Sequence, residues 1–438
     1  MGISNIIFFS VFIVSNYFFI RNLKRIISSI KLGRDINRSD RKSDRWKNMF
    51  RVALGQSKMT RRPVAGILHI ILYLGFIIIN IEIIEIIVDG VFGTHRFLSY
   101  IIPVELYNFL IGSFEILAFL VFVACLIYLA RRNLLKIKRF WSKEMTKWPR
   151  TDANLILVFE ILLMGAFLLM NASDALLNSR GDTYYVVTFS NPISQFLIPL
   201  IETFSNETLV IIERFTWWFH IVGILAFLNY VLISKHLHIL LAFPNTYFSN
   251  LDVIGKVNNL SSVYKEVKAM MDPNNDPFAN TETNNPVDKF GASDVFDLNW
   301  FQLLNAYTCT ECGRCSSECP ANETGKLLSP RTIMMKTRDR VEEVGKNIDK
   351  NGKFIDDNKT LLNDYISKEE LWACTTCNAC VEACPIGIDP LSIILDMRRY
   401  LVMEQSSAPS ELNNMMSNLE NNGAPWPFNQ QDRLNWKN

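Results

Sequence analysis

The chain has no Gly-x-Gly-x-x-Gly fingerprint, so nothing in it reads as a flavin- or nucleotide-binding turn. Histidine is scarce, at five residues in 438. Cysteine is nearly confined to one region: eight of nine lie between Cys309 and Cys384, and Cys125 stands alone in an apolar stretch. Acid and base almost cancel, at a formal net charge of +2, and no nucleic-acid partner is expected. That charge is unevenly spread. The first half alternates long apolar stretches with basic loops, and the second half is polar and cysteine-bearing. A count of 30 Phe and 9 Trp suits a chain with half its length in a membrane.

The cysteines form a repeated pattern. Cys309-x2-Cys312-x2-Cys315-x3-Cys319-Pro320 is answered by Cys374-x2-Cys377-x2-Cys380-x3-Cys384-Pro385. This is the spacing of two-cluster bacterial ferredoxins. Three thiolates on a tight loop face three irons of one cubane, and the fourth, set apart by an extra residue and a proline, reaches the other cluster. The spacing therefore assigns Cys309, Cys312, Cys315 and Cys384 to one [4Fe–4S] cluster, and Cys374, Cys377, Cys380 and Cys319 to a second. Zinc sites use four ligands, usually as two separated pairs, and fit a doubled run of four poorly. Disulfides need an oxidising compartment. Cys125 reads as an ordinary buried cysteine.

Five apolar stretches approach or exceed the roughly 20 residues that cross a bilayer: 6–20, 64–88, 106–130, 154–177 and 209–233. The first has its positive charges after the apolar run, so it reads as a retained helix and not as a cleaved leader. Lys and Arg crowd 21–62 and 131–150, whereas the other two loops carry little beyond Arg96 and Arg180. Basic loops stay in the cytoplasm. The cysteine region is thus expected on the cytoplasmic side of a bacterial inner membrane. Within loop 178–207, the apolar spacing of Phe189, Ile193, Phe196, Leu197, Leu200 and Ile201 suits a short surface helix. Segment 272–297 looks like a flexible linker. Ser329-Pro330 and Asp389-Pro390 mark helix starts for 331–344 and 391–404, and Asn351-Gly352 suggests a small hairpin. Trp426 and Trp436 punctuate a polar tail expected to dock on this domain or on a partner.

Four of the five histidines lie in or beside spans. A b-type haem between helices needs one imidazole from each of two helices at matching depth. His69 and His238 meet that condition, with Gly66 and Gly75 making room for the ring and Lys235 and Arg62 meeting its propionates. His220, 18 residues before His238, falls about 27 Å away along a continuous helix at 1.5 Å per residue. It is either an interfacial residue of the Trp217-Trp218-Phe219 belt or a haem or quinone residue. His236 is expected to point away from His238. Of the acids at depth, Glu82 and Glu85 read as boundary residues, while Glu115, Glu160 and Asp174 are candidates for proton delivery to a quinone.

The spacing of His220 and His238 resembles that on the last helix of the gamma subunit of respiratory nitrate reductase, and the membrane half also resembles the cytochrome subunit of heterodisulfide reductase. That pattern has two histidines on the second helix, where this chain has His69 and then Ile79, so one complete pair is implied. Ser234-Lys235-His236-Leu237-His238, Pro244-Asn245, Asn299-Trp300, Gly325-Lys326, Ser329-Pro330-Arg331 and Trp372-Ala373-Cys374 are similar to membrane-bound iron–sulfur oxidoreductases. Those proteins are related to heterodisulfide reductase and to the quinone oxidoreductases of electron-transfer flavoprotein. Relatives usually continue into cysteine-rich repeats, and no cysteine follows Cys384 here, so either those repeats lie on a separate subunit or the substrate chemistry differs. The partner that the resemblance implies is a cysteine-rich subunit or an electron-transfer flavoprotein.

The expectation is an all-α protein, a five-helix transmembrane bundle followed by a mostly helical two-cluster ferredoxin domain. It divides into 1–245 (membrane domain), 246–298 (linker), 299–405 (cluster domain) and 406–438 (tail). The expected role is electron transfer between a cytoplasmic partner and membrane quinone through two [4Fe–4S] clusters and one haem b. The rival is a non-catalytic tether with neither haem nor quinone chemistry.

Overall fold

The computed structural model describes residues 2–185, 191–273 and 289–437. Its five longest apolar helices are α1 (Ile3–Ile30), α2 (Pro63–Phe92), α3 (Val104–Asn133), α4 (Trp148–Ser179) and α5 (Asn206–Val231). All five expected spans are present. Four run well past the apolar stretch at one or both ends, and α5 begins earlier and stops two residues short of 233. At 26 to 32 residues, and 1.5 Å per residue, each exceeds a hydrocarbon core of about 30 Å. Consecutive spans run antiparallel. Their inner faces meet around Ile111, Phe114, Cys125 and Phe167, all almost fully buried, and Cys125 is indeed a core residue. The outer faces are left to Ile, Leu, Phe and Val, as lipid requires.

α1 lies at the edge of the bundle and is held by close approach. Phe8, 1% exposed, seats on Gly90 of α2, where a Cβ would come within 2.6 Å of its ring. Trp217 and Trp218 of α5 complete that contact.

The chain after α5 does not continue as one helix. Ser234 adopts an extended conformation, its hydroxyl accepts from the His236 N–H, and Lys235–Leu237 forms a 3-10 turn before α6 (His238–Tyr247). The continuous helix assumed between His220 and His238 is therefore broken. The cluster domain is built on α7 (Trp300–Thr308), α8 (Pro330–Asn351) and α9 (Pro390–Met403). No strand occurs among the described residues, and Asn351-Gly352 makes no hairpin: Gly352, at φ +76°, ends α8 as a left-handed C-cap. Asp389 caps α9 through the Ser392 N–H at 3.0 Å. Ser329 does not cap α8, because its hydroxyl is taken by Ser316 and Glu144.

This domain is not loosely hung. Its apolar core takes in Ile26 and Ile30 of α1 and Leu232, Leu237 and Leu241 around the break after α5. Arg34 and Trp300 exchange backbone hydrogen bonds with neighbours across the same seam. Residues 289–297, expected in the linker, are ordered here, with Ala292 and Val295 fully buried. The rest of that segment, 274–288, lies outside the described residues, as does Phe189. Ser194–Phe196 and Ile198–Ile201 form two short helical turns, with Ile201 packed on α4 and α5. The tail forms α10 (Ser410–Asn422) and a final turn, but Trp426 and Trp436 stay exposed and do not dock on the domain.

Arg340 on α8 is a buried charge within the cluster domain. Its guanidinium, fully enclosed, holds Asp294 at 2.8 Å and Asp357 at 2.5 Å. Removing one side of such a pair strands the other charge. Arg340→Ala is expected to lower the unfolding free energy of the cluster domain by about 3–5 kcal/mol, read by denaturant titration of detergent-purified protein. A change no larger than that of an exposed pair, about 1 kcal/mol or less, would show that Arg340 does not hold the domain together.

Candidate cluster and histidine site

Each cysteine loop folds by the same local device. The second and fourth positions after the first cysteine are left-handed: Glu311 (φ +54°) and Gly313 (φ +71°) in one loop, Thr376 (φ +57°) and Asn378 (φ +62°) in the other. Two such residues in five curl the chain so that its cysteines face inward. At 313 the positive φ favours glycine, and a Cβ would also come within 2.5 Å of the Arg331 guanidinium, which would have to shift.

Cys309, Cys312, Cys315 and Cys384 line one open pocket, together with Cys380. Cys319 lies instead with the second loop, close enough for its charge to act on Cys374 and Cys380. Burial pushes the Cys309 thiol up to about 12 and the Cys384 thiol up to about 11. A metal would therefore have to displace protons against that bias. Backbone N–H groups of Thr376 and Ile388 reach the Cys374 and Cys384 sulfurs at 3.4 and 3.3 Å.

His69 and His238 come together. Their ring centroids are 6.4 Å apart with the planes at 43°. Two imidazoles on opposite sides of one metal, each with a metal–nitrogen bond near 2 Å, place their centroids roughly 6 Å apart. His238 Nδ1 is bonded to the Lys235 carbonyl at 2.8 Å, the contact that orients a ligating imidazole. His69 Nδ1 is buried without a partner. Burial lowers the pKa of His238 and, with the nearby His238 and His69, brings that of His236 down to about 3, so both rings are neutral at physiological pH.

His236 does not point away. Its ring lies 5.7 Å from that of His238, because a 3-10 turn advances 120° per residue and brings alternate residues closer in angle than an α-helix does. The imidazole pair fits a metal, but the other expected haem contacts are taken. A Cβ on Gly66 would meet the Met59 carbonyl at 2.7 Å, and one on Gly75 would meet Val121 at 2.5 Å, so protein fills the room those glycines leave. Lys235 is paired with Glu311, and Arg62 with Glu318 at 3.0 Å.

His220 is apart from this group. It is buried inside the bundle, not interfacial, with Nδ1 bonded to the Leu163 carbonyl at 3.0 Å and Phe167 beside its ring. No second histidine stacks on it among the described residues. Glu82 and Glu85 are also interior residues, at 1% and 2% exposure. They face inward because the loop after α2 folds back and supplies donors: Arg96 to Glu82, and the Leu98 N–H with Tyr107 to Glu85.

The residues that join the cysteine loops to the membrane half were not legible as a motif. Glu311, between Cys309 and Cys312, accepts from Lys235, three residues before His238, and from Arg338 at 2.6 Å. Burial pushes its carboxyl up, but those two cations outweigh it and hold it below the ordinary range. Arg314, before Cys315, donates to the Lys58 carbonyl at 3.1 Å on the loop that leads into α2 and His69. Arg331, 1% exposed, reaches Arg139, Ser142 and Glu144 on the loop before α4. Asp152 receives the Tyr230 hydroxyl at 2.6 Å and the Lys235 N–H at 3.0 Å, and so holds the turn that presents His236 and His238.

Comparison with known proteins agrees with this geometry. The 4Fe-4S dicluster domain family matches residues 305–388. Over 96% of its length the chain is 28% identical to the "Probable iron-sulfur-binding oxidoreductase FadF" of Bacillus subtilis, covering 59% of that protein. It is 26% identical over 92% of its length to the "EtfAB:quinone oxidoreductase" of Syntrophomonas wolfei, covering 55% of it. A shorter match, 33% identical over 24% of this chain and 52% of the other, is to one polypeptide of the ferredoxin/F(420)H(2)-dependent CoB-CoM heterodisulfide reductase of Methanosarcina acetivorans. The chain thus spans somewhat over half the length of the first two relatives. No solved structure matches it. This chain thus joins five helices able to cross a membrane to a 4Fe-4S domain, and is a homologue of an iron–sulfur-binding oxidoreductase, of an EtfAB:quinone oxidoreductase and, over a shorter stretch, of a heterodisulfide reductase polypeptide.

Proposed function

We propose that this protein is the membrane-anchored electron-transfer part of an oxidoreductase, passing electrons between a soluble partner and membrane quinone. One observation carries the reading. Two separate ties, Glu311–Lys235 and Arg314–Lys58, run from the first cysteine loop to the two chain segments that bring His238 and His69 together. Cys309, Cys312, Cys315 and Cys384 hold one [4Fe–4S] cluster, and Cys374, Cys377, Cys380 and Cys319 the other. His69 and His238 hold one b-type haem. These groups supply one-electron carriers when bound. The chain's own work is to fix their ligands, to keep His238 in the tautomer that frees Nε2, and to exclude water with Leu237, Leu241 and Leu328.

The basic loops lie on the same end of the bundle as the cysteines, which supports a cytoplasmic cluster domain in a bacterial inner membrane. The relatives' names support a cysteine-rich heterodisulfide-reductase-like subunit, or an electron-transfer flavoprotein, as the partner. The tether without haem is favoured by one observation, the protein-filled space at Gly66 and Gly75 and the engaged Lys235 and Arg62.

Optical spectra of oxidised and dithionite-reduced protein separate the two readings. A b-type signal lost in His69→Ala, together with cluster reduction on adding a water-soluble quinol, supports the conduit. Iron and sulfide without any haem band establish the tether. The crossed ligation makes its own prediction for iron content. Cys384→Ala with Cys309→Ala removes one cluster and about half the iron, whereas Cys384→Ala with Cys374→Ala removes both. The reverse result would mean that each run binds its own cluster.

A further inference from the structure

At the end of the bundle away from the cysteines, His95, Asp174 and Glu213 converge from the loop after α2, from α4 and from α5. One ligand atom from each lies within 4.8 Å of the others. All three are buried, at 9%, 5% and 1% exposure. We propose that these residues form a binding site for a divalent transition-metal ion, of the zinc class, separate from the electron-transfer groups.

Three observations point to a cation there. First, Asp174 Oδ1 and His95 Nδ1 are buried without a hydrogen-bond partner, and an unmade contact at such depth is costly unless something absent from the protein's own atoms completes it. The other oxygen of Asp174 is already used, by Arg96 at 3.0 Å and by His95 Nε2 at 3.4 Å. Second, the region is short of positive charge. Glu82, Glu85, Asp89, Asp174 and Glu213 are all buried, and the guanidiniums that face them are Arg96 and Arg214. Buried carboxylates in that excess need a cation or protons. Third, the donor set is one imidazole and two carboxylates, the mixture that suits zinc and its neighbours better than the all-oxygen ions. The rings of Tyr184 and Tyr185 pack on the His95 imidazole at 5.1 and 5.3 Å and close the outer side. Glu213 also carries the Arg214 guanidinium, which would orient its carboxylate as a metal ligand's neighbour does.

The site would clamp the ends of α2, α4 and α5 to one another, adding to the tie that Arg96 already makes between Glu82 and Asp174. It also leaves a coordination position for water, since three protein ligands do not fill a tetrahedral zinc.

The test uses the full chain in detergent with its clusters loaded, washed with a weak chelator and checked for unchanged iron. Zinc alone is then added, and bound zinc is measured after gel filtration. The expected result is one zinc per chain, with an X-ray absorption shell of nitrogen and oxygen near 2.0 Å and no sulfur near 2.3 Å. Asp174→Asn and Glu213→Gln should each weaken binding at least tenfold, while Glu207→Gln on the exposed start of α5 leaves it unchanged. Absence of zinc from the wild type would overturn the proposal and leave the carboxylates balanced by protons. So would a sulfur shell, which places the zinc on cysteines, or equal retention by both variants. Should the variants fail to fold, the wild-type absorption shell still decides.

Discussion

The carboxylate of Glu311 is the joint on which the two halves of this protein turn. It is almost fully buried, lies between two cysteines of the first loop, and is shared by Lys235 from the membrane half and Arg338 from α8. Stripped of either cation, it would be a buried charge with half its compensation, a costly arrangement in a water-poor interior. The pair therefore sets where the cysteine loop sits relative to the turn that presents His238. Arg314 and Arg331 repeat the same logic on either side, each buried and each answered by backbone or side-chain oxygens of a loop from the membrane half.

Seen this way, the basic loops have two uses. Their excess of Lys and Arg is what orients a multi-span chain, and the same residues grip the cluster domain, as in Arg61–Glu382 and Arg62–Glu318. Charges that choose a side of the membrane are then not left idle in solvent. The opposite end of the bundle has little basic charge to spend, and its few cations, Arg96 above all, are drawn inward to serve several carboxylates at once.

Much of this was readable from the chain itself, for identifiable reasons. Apolar length marks a span whatever it packs against, so the sequence locates all five helices, though it misses most of their ends because helices continue past the apolar stretch where protein covers them. Cysteine spacing marks the two loops, and the fold brings Cys384 of the second to the pocket lined by Cys309, Cys312 and Cys315 of the first. His69 and His238 were matched by depth, a quantity that hydropathy supplies. What failed depended on tertiary contact. Gly66 and Gly75 looked like room for a ring, but the same absence of a side chain also admits a Met59 carbonyl or a Val121 methyl. His95 and Arg96 looked like loop residues, and only the fold-back after α2 buries them. His236 was misplaced because one hydroxyl, that of Ser234, changes the helix type for three residues.

The shared core described for the cluster domain has a consequence for how the molecule is made. Ile26 and Ile30 leave the ribosome hundreds of residues before Leu298, Val341 and Leu401, with which they finally pack. The loops that answer Arg314 and Arg331 are likewise synthesised first. The core of the cluster domain is therefore complete only once those helices and loops are in place. Order of synthesis and order of completion coincide: the helices come first, and the domain that needs their side chains comes last.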